Sequence, residues 1–178
     1  MTAVYVASPS GFCDNTRDWL RDVLLPKLSG PSLEIIDPWE HVISASSSEI
    51  RESAKTMTHE EAMAIGKANI ESIDRSDVVF AVLDGMDVDS GVATEIGYAY
   101  GRGKRVIGYR GDCRFATEVR SCRVNMQVET FIERSGGRVH DSLEDAILEL
   151  RAFAVFKQGA YGTEDEAFAS LEQTSQGG

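Results

Sequence analysis

Cysteine is scarce in this sequence, and a long hydrophobic run is absent. Cys13, Cys113 and Cys122 are odd in number and lack C-x-x-C spacing, so the pattern favours neither a disulfide framework nor a zinc site. No apolar run approaches the roughly twenty residues that a membrane-spanning helix needs, and no basic-then-apolar segment resembles a signal peptide. We therefore expect a protein of the reducing cytoplasm, without a metal.

Positive charge is also scarce. The 178 residues include 18 lysines and arginines against 29 aspartates and glutamates, which gives a net charge of −11. This balance disfavours nucleic acid and anionic membranes as partners, whereas a small uncharged ligand would not be repelled. The length suits one domain, which we place at residues 1–158. Residues 159–178 are acidic and rich in small residues, and we predict that they form a mobile tail.

The segment from residue 77 to residue 109 is the centre of the predicted fold. Asp77–Leu83 is a short run of Val, Phe and other apolar residues, typical of a strand buried on both faces. An aspartate- and glycine-rich loop follows at residues 84–91, then a helix that ends near Gly101 and a second strand at Val106–Tyr109. This is a βαβ unit. Its loop lies at the carboxyl edge of a parallel sheet, where open α/β sheets bind ligands.

Strands and helices alternate along the rest of the chain. Strands are predicted at Ala3–Ala7, Leu33–Ile36 and Arg138–His140. Helices are predicted from Asp14 or Asn15 to Leu28, from about Thr58 to Asp74 with Ala62, Ile65, Ala68 and Ile73 facing the sheet, from Asn125 to Arg134 and from Leu143 to about Phe156. This alternation predicts a doubly wound α/β fold, flavodoxin-like or Rossmann-like, with five parallel strands in the order 2-1-3-4-5.

Two acids at the start of the central helix are candidate catalytic residues. Glu95 lies about one turn inside the helix, where the dipole favours an ionised carboxylate that could act as a nucleophile. Asp89 is either the helix N-cap or a second carboxylate of the same site. Glycosyl transfer needs two carboxylates, one for the anomeric carbon and one for the proton of the leaving group. The alternative is purely structural, because acids are common in first helical turns.

The same segment resembles the nucleoside 2-deoxyribosyltransferases. Residues 89–99 (DSGVATEIGYA), followed by Gly103-Lys104, are similar to that family's D-x-G-x-x-x-E-[LIV]-G-x-A…G-K signature. The resemblance implies that Glu95 is the nucleophile that forms a covalent deoxyribosyl-enzyme and that Asp89 is an active-site residue, with Gly91 between them. The similarity extends from about Tyr5, which matches an active-site tyrosine, to about Leu150.

A second resemblance lies at Val124-Asn125-Met126-Gln127, which is similar to the segment that a neighbouring subunit inserts into the site. It implies that Asn125 bonds the 5′-hydroxyl of the sugar, that Gln127 lies nearby, and that the protein is a homodimer or a higher homo-oligomer with shared sites. One position departs from the bacterial transferases, since their aspartate before the central strand falls on Asn69 here. Some members have asparagine there as well.

Two further residues follow predicted strands at the carboxyl edge. Asp84 comes directly after the central strand and would face the same cleft. Trp39 follows the second strand and could stack on a nucleobase, or it could cover the edge of the core. The small polar run Ser44–Ser48 predicts a mobile loop that closes over the site.

The sequence therefore predicts transfer of a 2-deoxyribosyl group between nucleobases, with nucleosides and nucleobases as ligands and no cofactor. An N-glycoside hydrolase of deoxyribonucleosides or 5′-monophosphates would use the same Glu95 with water as acceptor, although Asn125 suggests an uncharged 5′-hydroxyl. A receiver-like domain would need an acidic pair after the first strand to hold magnesium, where Ser8-Pro9 stands instead. A flavin-binding module is resembled only faintly, at Ser8-Pro9-Ser10-Gly11.

Overall fold

Five parallel strands form one sheet in the computed structural model, which describes residues 1–42, 45–114 and 117–175. The sheet order is β2-β1-β3-β4-β5, and each neighbouring pair is parallel. The strands are β1 (Thr2–Ala7), β2 (Leu33–Ile36), β3 (Val78–Val82), β4 (Arg105–Tyr109) and β5 (Val139–His140). This confirms the predicted doubly wound fold and its strand order.

Helices connect the strands and cover both faces of the sheet. They are α1 (Asp14–Trp19), a π-helical turn (Leu20–Leu24) that leads into α2 (Leu25–Leu28), α3 (Ser47–Thr56), α4 (His59–Arg75), α5 (Ser90–Gly101), α6 (Met126–Arg134), α7 (Leu143–Lys157) and α8 (Glu164–Ser175). Pro26 has no N–H to donate to the preceding turn, and the helix widens into the π-helical turn just before it.

The sheet separates two hydrophobic cores. One core joins β1 and β3 to α7 and to the α1–α2 segment through residues such as Val4, Phe80 and Leu150. The other joins the opposite side chains of the same strands to α5 and α6, and it includes Tyr5 and Ile96. Every residue of β3 is buried, as its continuous apolar sequence predicts for a central strand.

Only the last part of α4 packs against the sheet. Ile73 is buried as predicted, but Ile65 is 50% exposed, Ala68 is exposed, and Ala62 is only half-buried. The prediction was wrong for the first half of the helix because α4 has 17 residues and is about 25 Å long, whereas the five residues of β3 span about 17 Å. The helix therefore extends past the carboxyl edge of the sheet.

The C-terminal residues differ from the expected mobile tail. Residues 164–175 form α8, which packs against α7 with Ala167 fully buried. Glu164 of α8 pairs with Arg105 at the start of β4. The acidic composition suggested a disordered segment, but the few apolar residues of this short helix are enough to pack it against α7. The domain boundary at residue 158 stays a prediction.

The predicted mobile loop at Ser44–Ser48 instead leads into a helix. Ser46 caps α3 by accepting a hydrogen bond from the backbone of Glu49, and the Glu49 side chain accepts one from the backbone of Ser46. This reciprocal capping box is readable in the sequence as S-x-x-E. Ser44 lies outside the described residues. Among the helices that the structure describes, none has the length and apolar character needed to cross a membrane.

Candidate active site

Glu95, Tyr5 and Asn69 meet at the carboxyl edge of the sheet. Glu95 lies in the second turn of α5, Tyr5 on β1 and Asn69 on α4. The Tyr5 hydroxyl donates a hydrogen bond to Oε1 of Glu95 at 2.7 Å, and the Asn69 amide lies 3.5 Å from the same oxygen. No donor within the described residues holds Oε2. The carboxylate is thus fixed through one oxygen while the other remains available.

Burial, rather than the helix dipole, controls the charge of Glu95. Removal from water raises the pKa of Glu95 to about 7, the negative charge of Asp89 adds to the rise, and the hydrogen bond from Tyr5 opposes it. The sequence predicted that the helix dipole favours an ionised carboxylate; desolvation acts in the opposite direction, so that Glu95 is only partly ionised at neutral pH. A pKa near 7 lets the group exchange its proton readily at physiological pH.

Tyr5 remains neutral throughout the physiological pH range. Its side chain is fully buried, and its pKa is raised strongly by that burial and by the carboxylates of Glu95 and Asp37. A neutral phenol keeps its proton and can donate it in a hydrogen bond to Glu95 in every state of the site. Tyr5 therefore orients the carboxylate.

Asp89 is the N-cap of α5, as one of the two predicted alternatives states. Its Oδ1 accepts hydrogen bonds from the backbone N–H groups of Gly91 at 2.9 Å and Val92 at 3.2 Å. Gly91 allows this close approach, since a Cβ there would lie 3.0 Å from Oδ1 of Asp89. The cap begins the helix in the position that brings Glu95 to the edge.

Asp84 and Trp39 lie at the same edge but outside the Glu95 cluster. Asp84 accepts a hydrogen bond from the backbone N–H of Asp112, which ties the loop after β3 to the loop after β4. Trp39 donates through Nε1 to the Ser8 carbonyl at 2.8 Å, and its ring covers Gly11. Trp39 also packs against the core, so its geometry agrees with the core-edge alternative. A contact between Trp39 and a nucleobase stays a prediction.

Asn125 and Gln127 lie at the start of α6. Asn125 is the N-cap: its Oδ1 accepts from the backbone N–H groups of Gln127 and Val128, and its amide donates to Glu118 at 2.7 Å. The side chain of Gln127 is exposed. Within the described part of one chain, neither residue bonds to Glu95, so the structure of a single chain does not bring them into the cluster.

Two residues near the site were missed in the sequence. Asp37 follows β2, is half-buried, and lies close enough to Tyr5 to raise its pKa. Burial also raises the pKa of Asp37 itself. Arg110 is buried and donates to the carbonyls of Leu83, Gly85 and Arg114, so it holds together the two loops that follow β3 and β4. An acid directly after a strand end was the available signal for Asp37.

A cavity of about 680 Å³ opens at this edge, on the side of the sheet that α1 covers. Its lining includes Phe12, Trp19, Asp84, Tyr109 and Asp112, and it includes none of Tyr5, Asn69 and Glu95. In the described parts of the chain, no group of three or more His, Cys, Asp or Glu residues could hold a metal ion. The cluster of Tyr5, Asn69 and Glu95 combines a carboxylate with a phenol donor.

The sequence matches the family described as nucleoside 2-deoxyribosyltransferase over residues 4–139. The chain belongs to this family. The match confirms the predicted family and, with it, the predicted class of enzyme. This result argues against the receiver-like and flavin-binding alternatives. No curated protein matches the chain at a significant level.

Solved structures share the fold at low sequence identity. A conserved protein from Enterococcus faecalis V583 is 24% identical with a TM-score of 0.62, covering 83% of this chain and 95% of that one. A 2-deoxyribosyltransferase from Leishmania mexicana is 21% identical with a TM-score of 0.59, covering 82% and 94%. A CMP N-glycosidase from Clostridium botulinum is 15% identical with a TM-score of 0.51, covering 85% and 99%. At these identities the likeness concerns the fold.

Proposed function

We propose that this enzyme transfers a 2-deoxyribosyl group from one nucleobase to another with Glu95 as the nucleophile. The observation that carries the proposal is the geometry of Glu95: a half-buried carboxylate held through Oε1 by the Tyr5 phenol, with no donor from the described residues on Oε2. A fixed carboxylate with one unoccupied oxygen is suited to attack on an anomeric carbon.

In the proposed mechanism, Oε2 of Glu95 bonds to C1′ while the bond from C1′ to the base nitrogen breaks through an oxocarbenium-like transition state. The electron pair of the broken bond leaves with the base, which takes up a proton from a nearby acid. A second base then attacks C1′ from the opposite face, releases the Glu95 carboxylate and loses its proton to the same acid–base group. Two inversions at C1′ give net retention.

Asp89 and Asp37 are the two candidates for the acid. Asp89 matches the active-site aspartate of the family, but its Oδ1 already caps α5. Asp37 accepts a hydrogen bond from the Trp39 backbone at 3.0 Å, and burial raises its pKa, which is the direction that suits a general acid. Comparing Asp37→Asn with Asp89→Asn on a substrate that has a good leaving group separates the roles, since the acid variant should be rescued by that substrate.

Hydrolysis is the second candidate function. The same covalent intermediate gives free deoxyribose when water replaces the acceptor base, and a structural relative is named as a CMP N-glycosidase. The resemblance of Asn125 to a residue that bonds the 5′-hydroxyl of the sugar favours an uncharged nucleoside over a nucleotide.

The proposed active form is a dimer whose sites are completed across the interface. On α4, Met63, Ile65 and Ile70 are 56%, 50% and 45% exposed, which leaves apolar surface beside the edge where Asn69 reaches Glu95. A two-fold axis near this surface would present the Asn125 of each chain to the other chain's site. Closure would also exclude water from the covalent intermediate.

One incubation tests transfer against hydrolysis. The purified chain is mixed with a deoxynucleoside, with and without a different acceptor base, and the products are separated by chromatography. We expect a new deoxynucleoside only when the acceptor is present. Free deoxyribose in both reactions would instead assign the hydrolase, and the absence of any product from a panel of purine and pyrimidine deoxynucleosides would contradict the proposal.

A further inference from the structure

The cavity beside α1 has the walls of a binding site for a flat ligand. Trp19 and Tyr109 stack with ring centroids 6.2 Å apart and an angle of 21° between their planes. Phe12 is 60% exposed, and its ring is held against Trp39 in an edge-to-face contact with centroids 4.6 Å apart. Trp19 and Tyr109 are half-buried, and Phe12 provides the exposed ring that can stack on a heterocycle.

One carboxylate of the cavity offers an acceptor to a ligand, beside the hydroxyl and amide groups of Ser10, Asn15 and Thr16. Asp112 is fully engaged, because both its oxygens accept from the Arg114 side chain. Asp84 uses one oxygen, Oδ1, for the backbone N–H of Asp112, and no donor in the described chain reaches Oδ2. Asp84 thus offers an acceptor to a ligand, and a carboxylate oxygen pairs well with an exocyclic amino group.

The charge and size of the cavity narrow the class of ligand. No lysine or arginine lines it, so a phosphate or another anion would lie beside Asp84 and Asp112 without a cationic side chain of the lining to neutralise it. Its volume of about 680 Å³ lies within the range of sites for small organic molecules. A planar, uncharged heterocycle with N–H donors satisfies the aromatic walls, the free acceptor and the absence of cations together.

We propose that this cavity is a second site, separate from Glu95, that binds a free nucleobase carrying an exocyclic amino group through Asp84 and the rings of Phe12, Trp19 and Tyr109. The inference rests on the proposed function only for the class of ligand. The second site would bind a free base next to the edge where the proposed transfer of the sugar takes place.

Calorimetric titration with adenine and with hypoxanthine tests the site, because these purines differ at one position, amino in the first and oxo in the second. In the absence of any deoxynucleoside, no turnover occurs. We expect the wild-type chain to bind adenine about tenfold more tightly, the effect of one hydrogen bond to a charged acceptor. Asp84→Asn should remove the preference, since it retains an acceptor for Asp112 but adds an amide donor.

Two controls keep the test independent of folding and of Glu95. Asp87→Asn makes the same change on an exposed residue of the same loop outside the cavity and should keep the preference. Phe12→Ala, at an exposed ring, should weaken both purines about equally. Tyr5→Phe should leave both affinities unchanged, because Tyr5 does not line the cavity.

The inference is overturned if neither purine binds, if Asp84→Asn keeps the preference for adenine, or if Tyr5→Phe abolishes binding, which would place the base at the Glu95 cluster. The transfer assay on the same preparation separates the two proposals. Transfer without a cavity-dependent preference leaves the proposed function standing and removes this site. If the chain prefers adenine through Asp84 but transfers no deoxyribosyl group, the cavity site stands and the proposed function is removed.

Discussion

The two faces of the sheet present different side chains at the same carboxyl edge. On the face covered by α5, the buried Tyr5 holds the half-buried carboxylate of Glu95, whose pKa is raised to about 7. On the face covered by α1, the cavity is lined by the exposed ring of Phe12 and by Asp84, whose Oδ2 has no donor in the described chain. If both proposals hold, the first face makes and breaks bonds and the second binds a base. Substitutions on the α5 face should change rates and their pH dependence, whereas those on the α1 face should change affinities.

The largest expected effect is loss of the nucleophile. Glu95→Gln should lower kcat at least about 10⁴-fold, because no described side chain near the edge can replace a covalent carboxylate. The measurement is deoxyribosyl transfer followed by chromatography, with circular dichroism to verify the fold. Glu60→Gln, at an exposed acid in the first turn of α4, is the matched control and should keep full activity.

Mass spectrometry adds a direct test of the same residue. A slow-reacting fluorinated deoxynucleoside should leave a sugar adduct on the peptide that contains Glu95. Near-normal transfer by Glu95→Gln, or an adduct on another residue, would contradict the assignment of Glu95 as the nucleophile.

A mixing experiment tests whether the α5 face is completed by a second copy. Glu95→Ala chains and Asn125→Ser chains should each be inactive alone, and serine at position 125 retains an acceptor for the α6 cap that Asn125 now provides. After subunit exchange in an equal mixture, half the dimers are mixed and each has one intact site, so about a quarter of the wild-type activity should return. Failure to recover activity despite proven exchange would refute the shared site.

The phenol of Tyr5 is expected to set the pH at which the α5 face works. Because Glu95 must be ionised to attack, kcat/KM should rise with pH through a midpoint near 7. Tyr5→Phe removes the hydrogen bond that lowers the pKa of Glu95, so the midpoint should move to higher pH, with about a tenfold loss at pH 7 that shrinks at pH 9. A uniform loss at every pH would mean that Tyr5 acts by some other route.

The sequence was most informative where a local pattern determines the structure. The buried apolar run of β3 and the Asp89 cap of α5 were both readable, because each depends on neighbouring residues. The approach of Tyr5 to Glu95 joins residues 90 positions apart and was available only through the family resemblance. The raised pKa of Glu95 could not be predicted from the sequence, since the degree of burial depends on packing between distant elements.

Two other errors of the sequence interpretation have different causes: a mismatch in length between α4 and the sheet, and a weak apolar signal in α8. The apolar residues of α4 repeat at helical spacing, which predicts a buried face, but nothing in that repeat says where the sheet ends beneath the helix. Ile65 therefore became exposed although the period was read correctly. Among the described side chains of α8, Ala167 is the fully buried one, and a single small residue is too weak a signal to recognise in an acidic segment.

The smallest expected effect concerns the stability of the α5 face. The pKa of Glu95 is about 7 in the folded chain against 4.5 for the ordinary group, so the folded state binds the proton more tightly than the unfolded state does. The free energy of unfolding should therefore fall as the pH rises from about 4.5 to about 7, and the full cost of burying the charge should be present above that range.

Glu95→Gln removes this cost because glutamine does not ionise and can still accept the hydrogen bond from Tyr5. In urea unfolding, the free energy of unfolding of Glu95→Gln should exceed that of the wild type by about 1–3 kcal/mol at pH 8, and the difference should disappear near pH 4. Glu60→Gln, whose parent acid is exposed, should show no such trend. Equal stability of Glu95→Gln and wild type at both pH values would mean that Glu95 is hydrated in solution, and the contrast between the buried carboxylate and the open cavity would lose its physical basis.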